Sequence, residues 1–203
     1  MKIAMLIALL GLVLCGVPDC LMAYTPNGRF AFSDVKDSDK MAKVFEDMPL
    51  KQLERSIVLG AIALVMSSFG FAALGIWMRR FSLTAGILTG VCGLAFVIPI
   101  TAHHVCCGAV EWFYVRMGRT DDALAAATDF FKKTSATMII GYAALLIFVV
   151  VFFAMVVTGG TELPRWACVF NTLPVYLAIS PTRLPAKGNI ANAVMFGGLL
   201  FLL

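Results

Sequence analysis

The sequence predicts an all-α fold: a polytopic membrane helical bundle of six transmembrane helices, forming a single domain over residues 1–203. Three observations predict it. Of the 203 residues, 61% are hydrophobic and only 14% are charged, and the mean hydropathy is +0.91; a soluble domain carries about 25% charged residues. Six stretches approach or reach the roughly 20 apolar residues that a helix needs to cross a hydrocarbon core about 30 Å thick. None of them alternates apolar and polar residues with the period of two that a barrel strand requires.

The first stretch, about Ile3–Ala23, follows a single Lys2 and resembles a secretory leader in outline. Leu14 is bulky where a cleavage site needs a small residue, and the apolar run continues past Cys15, so it is read as the first span. A connection of about 30 residues follows. Its Thr25-Pro-Asn-Gly28 is a turn signal, and from Ser38 the apolar Met41, Val44, Phe45 and Met48 recur at helical spacing between charges. That pattern predicts a short interfacial helix ended by Pro49. Ser56–Trp77 and Leu83–Ala102 are the second and third spans, joined by a tight turn at Arg79-Arg80, and the third can be extended to Val115.

The third connection predicts a second interfacial helix. Thr120 caps it, Asp121 and Asp122 suit its positive end, and Lys132 and Lys133 suit its negative end. Ser135–Thr158, Trp166–Ser180 and Gly188–Leu203 complete the six. Twelve of the 16 lysines and arginines fall in the first, third and fifth connections, which places those connections in the cytoplasm of a multi-pass cell-membrane protein. The basic excess belongs to membrane loops, with no nucleic-acid partner implied.

Polar chemistry gathers in TAHHVCCGAVEW, residues 101–112. On a helix His103, His104, Cys107 and Glu111 share a sector about 100° wide, and Cys106 falls outside it. Chain direction and span length put these histidines at the same height as Asp19, near the end of the first span, and as Asn189 and Asn192, in the first turns of the last. Asn171 lies deeper, one turn before Pro174. Glu111 is expected beyond the hydrocarbon, in solvent. Arg165-Trp166 reads as an interface anchor.

Intramembrane acids are costly and often functional, and a histidine beside a carboxylate can move protons near neutral pH. His104 is therefore the candidate acid/base residue, with Asp19 orienting it. His103, Asn171, Asn189, Asn192, Trp166 and Arg165 are the candidate ligand-binding residues. His103, Cys107 and Glu111 stand at i, i+4 and i+8, a weak metal-ligand pattern. No cofactor is predicted: a phosphate-cradling glycine loop, a HExxH helix, a GxSxG elbow and a CxxC pair are all missing.

Several segments together carry a resemblance. Asp19 follows a small-residue bend, MPLKQLERSIVLGAIA leads into the second span, AHH ends the third, and LPRWACVFN precedes SPTRLPAKGN. The set resembles an uncharacterised family of bacterial six-span integral membrane proteins, a domain of unknown function. The resemblance implies a six-helix fold in a bacterial inner membrane, with Asp19, His104, Arg165, Trp166 and Asn171 at the family's polar positions. It brings no activity of its own. Pro18 and Thr172 depart from its pattern, standing where a glycine and a proline are expected.

Membrane lipids and an apolar small molecule are the expected partners. The favoured function is the binding, with or without chemical conversion, of a lipid-like or amphipathic molecule in a pocket inside the bundle. A small proton-coupled transporter and a structural or partner-binding membrane subunit are the alternatives.

Overall fold

The computed structural model describes all residues, Met1–Leu203, and is all-α apart from one small hairpin. Helix α1 (Lys2–Ala23) runs into that hairpin, β1 (Tyr24–Thr25) and β2 (Gly28–Arg29), with Tyr24 opposite Arg29. A 3-10 turn at Phe32–Lys36 precedes α2 (Ser38–Phe45). Then come α3 (Leu50–Met78), α4 (Leu83–Arg116), α5 (Asp121–Thr134) and α6 (Ala136–Val157). A second 3-10 turn at Arg165–Phe170 leads into α7 (Thr172–Ile179) and α8 (Lys187–Leu202).

Helices pack in the order α8–α1–α3–α4–α6, and α7 with its preceding turn closes the arc between α6 and α8. Small residues on α3 allow its close packing: Ser56, Gly60, Ala63, Ser67 and Gly70 recur at helical spacing and are all buried. At Gly75 a β-carbon would collide with the Gly90 backbone of α4. The core of this bundle is aromatic at its centre, where Phe71 meets Phe96, Phe148 and Phe196 edge-on at 5.0–5.6 Å between ring centroids.

Four helical segments are long and apolar enough to cross a membrane: Lys2–Ala23, Leu50–Met78, Leu83–Arg116 and Asp121–Val157. In the last, α5 runs into α6 through Ser135, whose backbone is still helical. The expected fifth span is not one helix. Asn171 leaves the helical region and caps α7 through its side chain, so 166–180 divides into a 3-10 turn and an eight-residue helix. The sixth stretch is a helix of 16 residues, about 24 Å long.

Two helices also outrun their expected bounds. α3 begins at Leu50 and α4 continues to Arg116 over 34 residues, about 51 Å, well beyond the thickness of a hydrocarbon core. Their projecting turns carry a second, separate core with α2, α5 and the first 3-10 turn, built around Phe30, Phe45, Leu53, Val110, Tyr114 and Leu124. This layer is called the cap below. The two connection helices form as expected, with Lys40 N–H donating to Asp37 Oδ1 and Ala123 N–H to Thr120 Oγ1. Their placement differs from expectation. The apolar faces of Met41, Val44 and Phe45 and of Ala123, Leu124 and Ala127 are turned onto protein, because the extended ends of α3 and α4 offer them an apolar surface to cover.

Candidate functional site

Three helices from distant parts of the chain meet just beneath the cap. On α1, Pro18 cannot donate a backbone hydrogen bond, and one residue later Asp19 turns its carboxylate inward. Asn189, in the first turn of α8, donates from Nδ2 to Asp19 Oδ2 at 2.8 Å. From α4, His104 Nδ1 lies 3.5 Å from Asp19 Oδ1. Of the layer expected from Asp19, His103, His104, Asn189 and Asn192, the structure brings Asp19, His104 and Asn189 into contact and places Asn192 elsewhere.

The seat for His104 is built by α3, and sequence reasoning missed it. His104 is buried, and its Nε2 donates to the Ser56 main-chain oxygen at 3.1 Å. That carbonyl can only accept, so Nε2 carries the hydrogen, and Nδ1 faces the Asp19 carboxylate. Ser56 Oγ in turn donates to Pro18 O at 2.8 Å, tying α3 to α1. One turn along α3, Gly60 leaves the space that the imidazole fills: a β-carbon there would overlap its ring. The small-residue stripe on α3 is the signal that could have located both.

With both ring nitrogens engaged, His104 has none left for a ligand. His103 differs. Its Nε2 lies 3.4 Å from Cys107 Sγ, and its Nδ1 is buried with no partner. Glu111 is the larger surprise. Expected in solvent, it is 1% exposed, and neither carboxylate oxygen has a partner. The correction follows from the length of α4: the turns beyond His104 enter the core of the cap, not water.

A cavity of about 460 Å³ joins these groups, within the usual size range for small-molecule sites. Along α4 it is lined by Phe96, Ile100, His103, His104, Cys107 and Glu111, a run of about 22 Å. Leu64, Tyr142 and Tyr176 flank the inner part. Phe30 and Phe32, from the cap, and Asp19 and Asn189, from the bundle, line it as well. Arg29 and Lys187 reach the rim, where each donates to a main-chain oxygen, of Arg183 and Ser180 respectively.

The remaining sequence candidates lie elsewhere. Asn171 accepts from Leu173 N–H and donates to Val149 O, so it caps α7 and ties it to α6. Asn192 accepts from the Thr172 hydroxyl at 2.7 Å in the same buried contact. Neither lines the cavity: their side chains are spent on contacts with α6 and α7. Arg165 packs on Gly159 at the end of the bundle away from the cap, and Trp166 there is largely exposed. His103 and Cys107 touch each other, but no third donor closes on them: no group of three histidine, cysteine or acidic side chains is placed to hold a metal ion.

Residues 1–201 match a family of unknown function, DUF6796, over almost the whole chain. The chain belongs to that family. No curated protein and no solved structure is significantly similar to it. The family brings no assigned activity, so the reading of this member rests on its own geometry.

Proposed function

We propose that the chain is an integral membrane protein that holds a lipid-like, amphipathic molecule in the cavity beneath the cap. One observation carries the reading. The cavity is graded along a single face of α4, from Phe96 and Ile100 inside the bundle to His103, Cys107 and Glu111 at the cap. An apolar tail is matched at one end and a polar head at the other. Asp19, His104 and Asn189 form the fixed wall beside the head. His103, with one ring nitrogen free, is the group that exchanges hydrogen bonds or a proton with it.

In the same reading the chain crosses the membrane six times, α7 with its preceding turn making a broken fifth passage and α8 a short sixth. The cap, which gathers the basic connections, faces the cytoplasm of a bacterial inner membrane.

The test is lipid extraction from protein purified in mild detergent, with the extract identified by mass spectrometry. Asp19→Asn and His104→Ala are each expected to reduce the retained amphiphile about tenfold, a change of roughly 1.4 kcal/mol. Folded variants of both that retain as much as the parent protein would leave the cavity a packing feature, and the chain a structural subunit.

A further inference from the structure

Glu111 is the strongest unanswered demand in the molecule. Both of its oxygens are sealed from solvent and lack any donor. It takes part in none of the four ion pairs. A bare buried carboxylate is costly, and a native fold that keeps such a group unpartnered calls for an explanation. The cavity offers one: Glu111 is among the residues that line its polar end, and a turn of its side chain would bring the covered carboxylate to a ligand there.

We propose that the head group held there is an ammonium, and that the amphiphile is a long-chain amine or an amine-headed lipid. This rests on the binding reading above and names its ligand class. The neighbouring acid is already satisfied, because Asp19 accepts from Asn189 and faces His104. The two cations on the cavity, Arg29 and Lys187, are turned to main-chain oxygens at the rim, leaving Glu111 without a protein counter-charge. Aromatic faces complete the fit. Phe30 and Phe32 line the cavity on the cap side, and Tyr142 and Tyr176 flank it. Aromatic rings attract an ammonium and give nothing comparable to an anion.

The experiment compares three probes of equal chain length on the full-length protein in neutral detergent: dodecylammonium, dodecanoate and dodecanol. Bound probe is counted by native mass spectrometry. The parent protein is expected to retain dodecylammonium about tenfold better than either other probe, and Glu111→Gln to remove that preference. Asp129→Asn, which removes an exposed acid on α5 away from the cavity, is expected to change nothing.

A second measurement needs no variant. An apolar carbodiimide labels the Glu111 carboxyl in the parent protein, and dodecylammonium, but not dodecanol, protects it. Equal retention of all three probes, a preference that survives in Glu111→Gln, or labelling that dodecylammonium fails to block each overturns the ammonium assignment and leaves amphiphile binding standing. Retention of none of the probes overturns the binding reading itself.

Discussion

The bundle and the cap are built on the same two helices, α3 and α4, yet they use hydrophobicity in opposite ways. In the cap, apolar side chains point inward and charges outward: Met41 and Phe45 of α2 are buried, while Ser38, Asp39 and Lys40 are exposed. This is the arrangement that water imposes. In the bundle the outward faces are as greasy as the inside. Ile3, Ile76 and Ile98 are 69–76% exposed, and the buried face is set apart by small and polar residues such as Gly60, Ser67 and Thr89. Acyl chains remove the hydrophobic drive between helices, so close packing and hydrogen bonds decide which face is buried. The lesson is that an apolar residue marks the interior only where water is the solvent. Elsewhere in this chain a glycine or a serine is the better marker.

Three measurements sharpen or break that contrast. The largest effect is expected from truncating one aromatic in each core. Phe71→Ala and Phe45→Ala each remove a fully buried ring, at a cost of about 3–5 kcal/mol. Phe71→Ala is expected to lower the melting of the whole bundle. Phe45→Ala is expected to open the cap to protease while bundle melting holds. If Phe45→Ala lowers bundle melting equally, the two cores unfold as one unit and the division fails.

A smaller effect is expected at the seam between them. Gly60→Ala pushes a methyl group into the His104 ring, an overpacking cost of about 1–3 kcal/mol. Because the conflict lies with the imidazole, His104→Ala placed on top is expected to add far less than it costs alone. Strict additivity in thermal melts would show that α3 does not seat the histidine.

The smallest effect concerns the cap surface. Burial pulls the Asp34 carboxyl upward, but hydrogen bonds from Lys40, Ala31 N–H and Ser33, with the Lys40 charge, outweigh it and hold the group below the ordinary aspartate range. A depressed acid adds stability that is complete above its unfolded value of about 3.9 and is lost as pH falls through the folded value. Hydrogen exchange of α2 amides should therefore differ between the parent protein and Asp34→Asn by a constant amount from neutral pH down to about pH 4. The difference should close below that. A gap that narrows well above pH 4 would assign the effect to another group.

Much of this architecture was legible in the sequence, and the failures share a cause. Thr120 and the charges around it defined α5 because capping is a local property. The meeting of Asp19, His104 and Asn189 followed from counting residues along apolar runs of known direction. Glu111 was misplaced because the count assumed water beyond the hydrocarbon, whereas α4 enters a second protein core there. Asn171 reads as a ligand group in the sequence because composition over 166–180 is the same for one helix or two. Only the backbone turn at Asn171 reveals that its amide is spent on a helix end. Ser56 and Gly60 went unnoticed because neither carries conspicuous chemistry of its own.

Ser56 does two jobs with two different parts of itself: its hydroxyl braces Pro18, and its main-chain oxygen grips the imidazole. Trimming the side chain at this position would cut the brace and leave the grip, since every amino acid supplies the same carbonyl. The hold on Nε2 is thus insulated from trimming at the very residue that supplies it, and a sequence change reaches the imidazole through Asp19 or through neighbouring bulk.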